Sequence, residues 1–417
     1  MKKYIFLCGL SVFCNNLILS NPADLDTSFN NGFADNLFVA YSVNSAQDIA
    51  VQSDGKIVTA GYAGDNALIV RFNNDGTLDR TFYNGDTEQI PGTVTINLGY
   101  NTAAYGVAIQ PLDDKIVIAG YVDLPSGDNL FLARYNLDGT LDTDFAGTGY
   151  IVTSFGNAQT QIFDVKLDFY GNIVVAGWTA PDGGLANALV ARYTSLGVLD
   201  TSFNGTGYNE IIFDDFTKLQ ALAIQANGKI VVTGQAFIGG IQTLIVFRLN
   251  PDGTQDLSFN NSFGYTTLPA TFAVYVTSQG YDVAIQPDQK IVVVGSSNIV
   301  DGFQNQLYTV LRLNSDGTLD TTFNAPRGYI ASEIGLVANS LVIQDNSQIV
   351  TCGANYRDAF IVIAIRYNND GSIDSVFNFE PQTTISLNTI GNAIALQSDG
   401  KIIISGIKVL PYVQPSL

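Results

Sequence analysis

A chain of 417 residues that is 46% hydrophobic and only 14% charged, with 40 Gly and 25 Phe, has material for a large buried core and is no disordered polymer. Its 38 acidic against 19 basic residues give a formal charge of −19, which disfavours nucleic acid and anionic membranes as partners. The absence of histidine removes Ser-His-Asp and Cys-His catalysis and His-ligated metal chemistry.

The first element in chain order is a basic start, Met1-Lys2-Lys3, followed by apolar residues from Tyr4 to Phe13 and by Leu17-Ile18-Leu19-Ser20 before Asn21-Pro22. This reads as a secretory signal over residues 1–20, so the protein is expected to be exported to the periplasm, the medium or the cell surface. The Asn15-Asn16 pair leaves the run too short to span a bilayer, and no later run is long enough, so no membrane span is expected after cleavage. Phe13 before Cys14 and Leu7 before Cys8 do not fit a lipoprotein cleavage site. Cleavage would leave Cys352 in a strand-like run, as a small buried hydrophobe without a histidine partner.

Residues 21–417 are organised by three recurring anchors. The first is a hairpin, written Gln-Ser-Asp-Gly-Lys-Ile-Val-Thr-Ala-Gly at Gln52 to Gly61, whose relatives end at Gly120, Gly177, Gly234, Gly295, Gly353 and Gly406. A short polar turn leading into a run such as Ile291-Val292-Val293-Val294 predicts a second strand buried on both faces. The second anchor is an arginine: Arg71, Arg134, Arg192, Arg248, Arg312 and Arg366. The third follows eight residues later, at Asp79, Asp142, Asp200, Asp256, Asp320 and Asp374, each with Phe three residues further on. Tight-turn chemistry such as Asn73-Asn74-Asp75-Gly76-Thr77 lies between the second and third anchors.

These spacings predict four strands per unit of roughly 58 residues: one (A) after the Phe, two (B and C) around the hairpin and one (D) ending in Arg. Seven such units predict an all-β, seven-bladed β-propeller forming a single domain over residues 21–417, its last blade incomplete in sequence. From hairpin Gly to Arg the gap varies between 10 and 17 residues, and the stretch from Phe to the next turn varies too. The A–B and C–D connections are therefore the elastic ones, and antiparallel succession puts both on one face, where function is expected. Only eleven residues follow Gly406, so the seventh unit lacks its Arg and Asp/Phe anchors. Ile407 to Val413, Phe38 to Tyr41 and, in the uncleaved chain, Leu17 to Ser20 are candidates to complete it.

The joint pattern Asn-x-Asp-Gly-Thr-Leu-Asp-x-x-Phe and Gln-x-Asp-Gly-Lys-Ile-Val-x-x-Gly resembles the delta-60 repeat, a bacterial β-propeller family of largely unknown function. The third copy departs at Thr194-Ser195-Leu196-Gly197 and the sixth at Asn346-Ser347-Gln348. The resemblance implies a propeller in exported or surface proteins and carries over no catalytic residue.

The repeated Arg/Asp pairs recur in every unit but the last, whereas a catalytic site marks one place. They are expected to act as charge-assisted hydrogen bonds between strand D and the turn after it, with Phe as core anchor. The Asn-x-Asp-Gly turns also resemble calcium loops, but an Asx turn needs the same residues, so structural turns are expected and no metal or other cofactor is assigned. On the elastic face Tyr62, Tyr121 and Trp178 follow the hairpin glycines of three adjacent units. With Asp123, Asp128, Asp182, Asp301 and Tyr356 in the same loops they make a candidate platform for a sugar or peptide. The expected function is a non-catalytic binding or scaffolding propeller that engages a protein or glycan through that face. The alternatives are a hydrolase or lyase using carboxylates with calcium, and a structural component of the cell surface.

Overall fold

The computed structural model describes residues 4–9, 44–83, 90–156, 158–213, 215–268, 277–298, 306–332, 336–355, 361–377 and 389–408. Five sheets have four strands. Sheet I comprises Asn44–Val51, Ile57–Ala63, Asn66–Phe72 and Thr93–Ile96; sheet II comprises Thr102–Ile109, Ile116–Leu124, Gly127–Tyr135 and Tyr150–Thr153. Sheet III is built from Gln159–Leu167, Ile173–Ala180, Asn187–Tyr193 and Tyr208–Ile211, and sheet IV from Thr217–Ile224, Ile230–Ile238, Ile241–Leu249 and Tyr265–Thr267. Sheet V holds Thr277–Ile285, Ile291–Asn298, Gln306–Leu313 and Tyr329–Ser332. Two sheets have three strands. Sheet VI has Leu336–Ile343, Ile349–Asn355 and Ile361–Tyr367, and sheet VII has Thr389–Leu396, Ile402–Lys408 and Tyr4–Gly9.

The all-β class agrees with the sequence, but the expected seven-bladed propeller of seven four-stranded repeats is corrected. Two of the sheets have only three strands among the described residues, and the sequence unit is offset from the sheet. In the five four-stranded sheets the strand after the Phe pairs with the strand that ends in Arg, as Thr93–Ile96 does with Asn66–Phe72, and so closes the sheet before it. The last sheet instead takes Tyr4–Gly9, in parallel with Ile402–Lys408. Leu17 to Ser20, Phe38 to Tyr41 and the segment after Lys408, considered above for completing the last unit, lie outside the described residues.

Apolar seams between successive sheets form the core, because each strand run is covered on both faces. Ile173–Ala180, for example, is buried along its whole length. Each Phe anchor fills the seam to the next sheet: Phe82 between I and II, Phe145 between II and III, Phe203 between III and IV. The ring closes through Ile49, Ile57, Val70 and Phe72 of sheet I against Ala393, Ala395 and Ile403 of sheet VII. Burying one such Phe contributes about 1.5–3 kcal/mol.

The arginine anchors stitch the seams at their polar end. In all six pairs the Arg Nε donates to the Asp Oδ2 at 2.6–2.9 Å. Each guanidinium lies 4.3–5.1 Å from its Phe ring centroid. Five of them also donate to a turn carbonyl of the next sheet, as Arg71 does to Leu137 O at 2.6 Å and Arg192 to Pro251 O at 2.6 Å. Burial by itself raises the Asp320 carboxyl, yet hydrogen bonds from Thr322 and Lys290 and the charge of Arg312 outweigh it and hold it at about 2.

The hairpin glycines have a steric cause. Each of the seven strands that lead into a hairpin carries a bulge, which drives a backbone carbonyl onto the glycine of the neighbouring strand. A Cβ on Gly61, Gly120, Gly177, Gly234, Gly295, Gly353 or Gly406 would stand 1.8–2.0 Å from that oxygen, so glycine is required at the anchor.

Candidate ligand site at the channel mouth

The seven bulged strands are the innermost of their sheets, and together they line a central cavity of about 810 Å³. The inserted residues are Gln47, Tyr105, Phe163, Gln220, Tyr281, Asn339 and Asn392, and all seven line this cavity. Every one is aromatic or an amide. A bulge re-aims a side chain out of the ladder, and here it turns the upper channel wall into a ring of π-faces and amide hydrogen-bonding groups. These residues stand at or just before the middle of their strands, and the packing of Tyr105 on Tyr62 and Tyr121, which follow the hairpin glycines, turns that part of the ring toward the end where the A–B and C–D connections emerge. At that end Thr102 N–H donates to Asp65 O at 2.9 Å and Thr217 N–H to Ala186 O at 2.8 Å, which ties neighbouring connections together.

One step deeper, three carboxylates clasp the sheets in pairs. Asp48 Oδ2 accepts the Val107 N–H at 2.8 Å, Asp164 Oδ2 the Leu222 N–H at 2.8 Å, and Asp282 Oδ2 the Leu341 N–H at 2.9 Å. Side-chain amides join the remaining sheets: Asn339 Nδ2 donates to Gly391 O at 2.8 Å and Asn392 Nδ2 to Ala46 O at 2.9 Å. Burial pushes the Asp48 and Asp282 carboxyls up to about 6, with the Asp164 charge adding to it and Lys166 opposing. Below the clasps the wall is small and apolar (Ala50, Ala108, Ala223, Ala284, Ala395), interrupted by Lys166. Burial works against that ammonium, but Asp164, Asp48 and Asp282 outweigh it and hold it above its ordinary range.

The sequence-predicted platform meets this ring on sheets I to IV. Tyr105 packs 6.4 Å from Tyr62, 5.8 Å from Tyr121 in a stacked arrangement and 5.1 Å from Phe163 edge-on. Asp128, opposite Asp123 in the hairpin, accepts a hydrogen bond from Gln161 Nε2 at 2.6 Å, and its carboxyl is raised by burial and by Asp123. Burial, then the nearby Tyr121 and Tyr62, raise the Tyr105 phenol. Trp178 is buried rather than presented, in a cluster with Phe163 and Phe216, and Lys218 Nζ caps its ring at 3.8 Å. Asp182 is exposed in the sheet III turn. Asp301 and Tyr356 lie outside the described residues.

Tyr105, Phe163 and the rest of the bulge ring were missed in the sequence because they stand in strands, not loops. A signal exists: they lie nine residues before the third residue of the hairpin turn, or ten in the second unit. Among the described residues no group of three or more His, Cys, Asp or Glu is placed to hold a metal ion, and no helix is long and apolar enough to cross a membrane. Cys352 is buried between sheets VI and VII, where burial and then Asp282 raise its thiol above the ordinary range.

Five segments, residues 52–82, 112–145, 171–203, 225–259 and 286–323, match the family described as "Domain of unknown function (DUF5122) beta-propeller". The matched segments are thus similar to the repeats of a β-propeller family of unknown function. No curated protein matches the sequence. Among solved structures, the chain is similar to the polysaccharide lyase Uly1 (10% identity, 90% of this chain and 91% of that one, TM-score 0.48). It is also similar to YCF48 bound to D1 peptide (12%, 88% and 89%, TM-score 0.42) and to Sqt1 of Chaetomium thermophilum (12%, 87% and 93%, TM-score 0.40).

Proposed function

We propose that this β-propeller is a non-catalytic binding protein that takes a glycan at the channel mouth on sheets I to IV. One observation carries the assignment: seven bulged side chains, all aromatic or amide, converge on one cavity, and Tyr105 and Phe163 extend that surface to Tyr62 and Tyr121. Aromatic faces stack on the C–H side of a sugar, and amides and carboxylates take its hydroxyls. Asp123 and Asp128 supply acceptors at the rim. The channel carboxylates are engaged in holding the sheets together, which argues for a scaffold role over acid–base chemistry.

The test is a glycan array probed with wild-type protein and with Tyr105→Ala and Phe163→Ala variants of unchanged melting temperature. Binding of the wild type that is lost in both variants supports the assignment. Failure of the wild type to bind any glycan, or binding that both variants retain, overturns it.

A further inference from the structure

Acids outnumber bases two to one in this chain, so a cation has no shortage of partners. Accordingly, Lys56, Lys115, Lys166, Lys229, Lys290 and Lys401, all partly buried, each meet an aspartate within 4 Å. The six repeat arginines do the same, and Arg80 and Arg327 are exposed to water. Among the described residues Lys218 is the one partly buried cation with neither a carboxylate nor a hydrogen-bond acceptor. Its Nζ sits 3.8 Å from the Trp178 ring and 5.4 Å from that of Phe216, and burial lowers its pKa. Asp215, three residues earlier, is exposed and forms no ion pair with it.

We infer that Lys218 is the anion-recognition residue of the channel-mouth site, and that the glycan bound there carries a carboxylate, as a uronate does. This rests on the glycan assignment above. A ring face attracts an ammonium but accepts no strong hydrogen bond, so among the described residues the three N–H donors of Lys218 have no acceptor and can turn to water or to a ligand. An oxyanion on the open side of the ammonium gains a charge-assisted hydrogen bond in a setting partly stripped of water. The placement suits a sugar acid. Lys218 stands two residues from Gln220 of the bulge ring, and the indole it covers packs with Phe163, whose ring lines the cavity. A sugar seated on Phe163 and Tyr105 then has its carboxylate toward sheet IV and its hydroxyls toward Asp123 and Asp128 on sheet II, where carboxylates act as acceptors. The opposite orientation sets two anions side by side and is disfavoured.

The experiment is calorimetric titration of the whole chain with oligogalacturonate and oligoglucuronate, with their methyl esters and with a neutral xylo-oligosaccharide. Wild-type protein, Lys218→Met, which keeps an apolar stem over the indole, and Lys218→Arg are compared after their melting temperatures are shown to agree. At least one free acid is expected to bind about tenfold tighter than its ester. That preference disappears in Lys218→Met while affinity for the ester is kept, and Lys218→Arg retains it. Equal affinity of acid and ester in the wild type, or a preference that survives Lys218→Met, overturns the role of Lys218 and leaves the glycan assignment standing. Failure of every one of these sugars to bind overturns the role of Lys218 as well, and the glycan assignment is then decided by the array.

Discussion

A Cβ atom placed on Gly177 would stand 2.0 Å from the backbone oxygen of Gln161, the residue whose side chain also holds Asp128 at the rim. The bulge that presents Phe163 to the channel is what brings that oxygen so close. Scaffold and site therefore share one constraint. Gly177→Ala is expected to lower stability by at least the ~1–3 kcal/mol typical of overpacking, read as the shift in urea midpoint. An unchanged midpoint would show that the bulge can relax without cost.

The Arg134 and Asp142 side chains are each about 5% exposed and meet at 2.6 Å, with Lys115 at 2.7 Å on the same oxygen. Removing Arg134 leaves a buried carboxylate short of its main partner and also frees the Ser195 carbonyl of the next sheet. Arg134→Ala is expected to cost about 3–5 kcal/mol, against roughly 0.5 kcal/mol or less for the exposed Arg80→Ala. Equal shifts in urea midpoint for the two would refute a stitching role.

The clasp carboxylates give a pH dependence of defined sign. Asp48 and Asp282 titrate near 6 in the fold, above the ordinary value near ~3.9, so between those values the folded chain holds more protons than the unfolded one. Their contribution is present below the unfolded value and falls as pH rises from about 4 to about 6. Asp320, held at about 2, acts oppositely: its contribution is present above about 4 and is lost as pH falls towards 2. In Asp48→Asn/Asp282→Asn the decline between pH 4 and 6 is expected to flatten relative to wild type when melting temperature is followed against pH. Parallel curves would contradict this.

Much of this was legible in the sequence, because steric and charge requirements that repeat leave a periodic mark. The hairpin glycines, the Arg/Asp/Phe anchors and the shared face of the elastic connections all follow from spacing alone. The sheet boundaries did not, since the strand after each Phe carries no label saying which sheet it completes, and in the five four-stranded sheets hydrogen bonding assigns it to the one before. Trp178 looked like a platform residue because its position matches Tyr62 and Tyr121, yet Lys218 from the next sheet covers it. The bulge ring was hidden because a bulge is a backbone event, and its inserted residue has no fixed identity from Gln47 to Asn392.

The Asx turns bear on calcium. In the second unit Asp138 Oδ1 accepts the Thr140 N–H at 2.9 Å and its hydroxyl at 2.6 Å, and Asp75, Asp252, Asp316 and Asp370 repeat the arrangement. With one oxygen of each carboxylate already used, chelator is expected to leave the calorimetric transition where it is. A rise in melting temperature on adding calcium would contradict this.

The most direct test of the central claim is amide hydrogen exchange with and without the tightest array ligand. Protection is expected in the bulged segments around Tyr105, Phe163 and Gln220 and in the hairpin from Tyr121 to Asp128, with the Asn73–Thr77 and Asn136–Thr140 turns at the opposite end unchanged. Protection confined to those turns, or to the outer strands such as Tyr150–Thr153, would contradict a glycan site at the channel mouth.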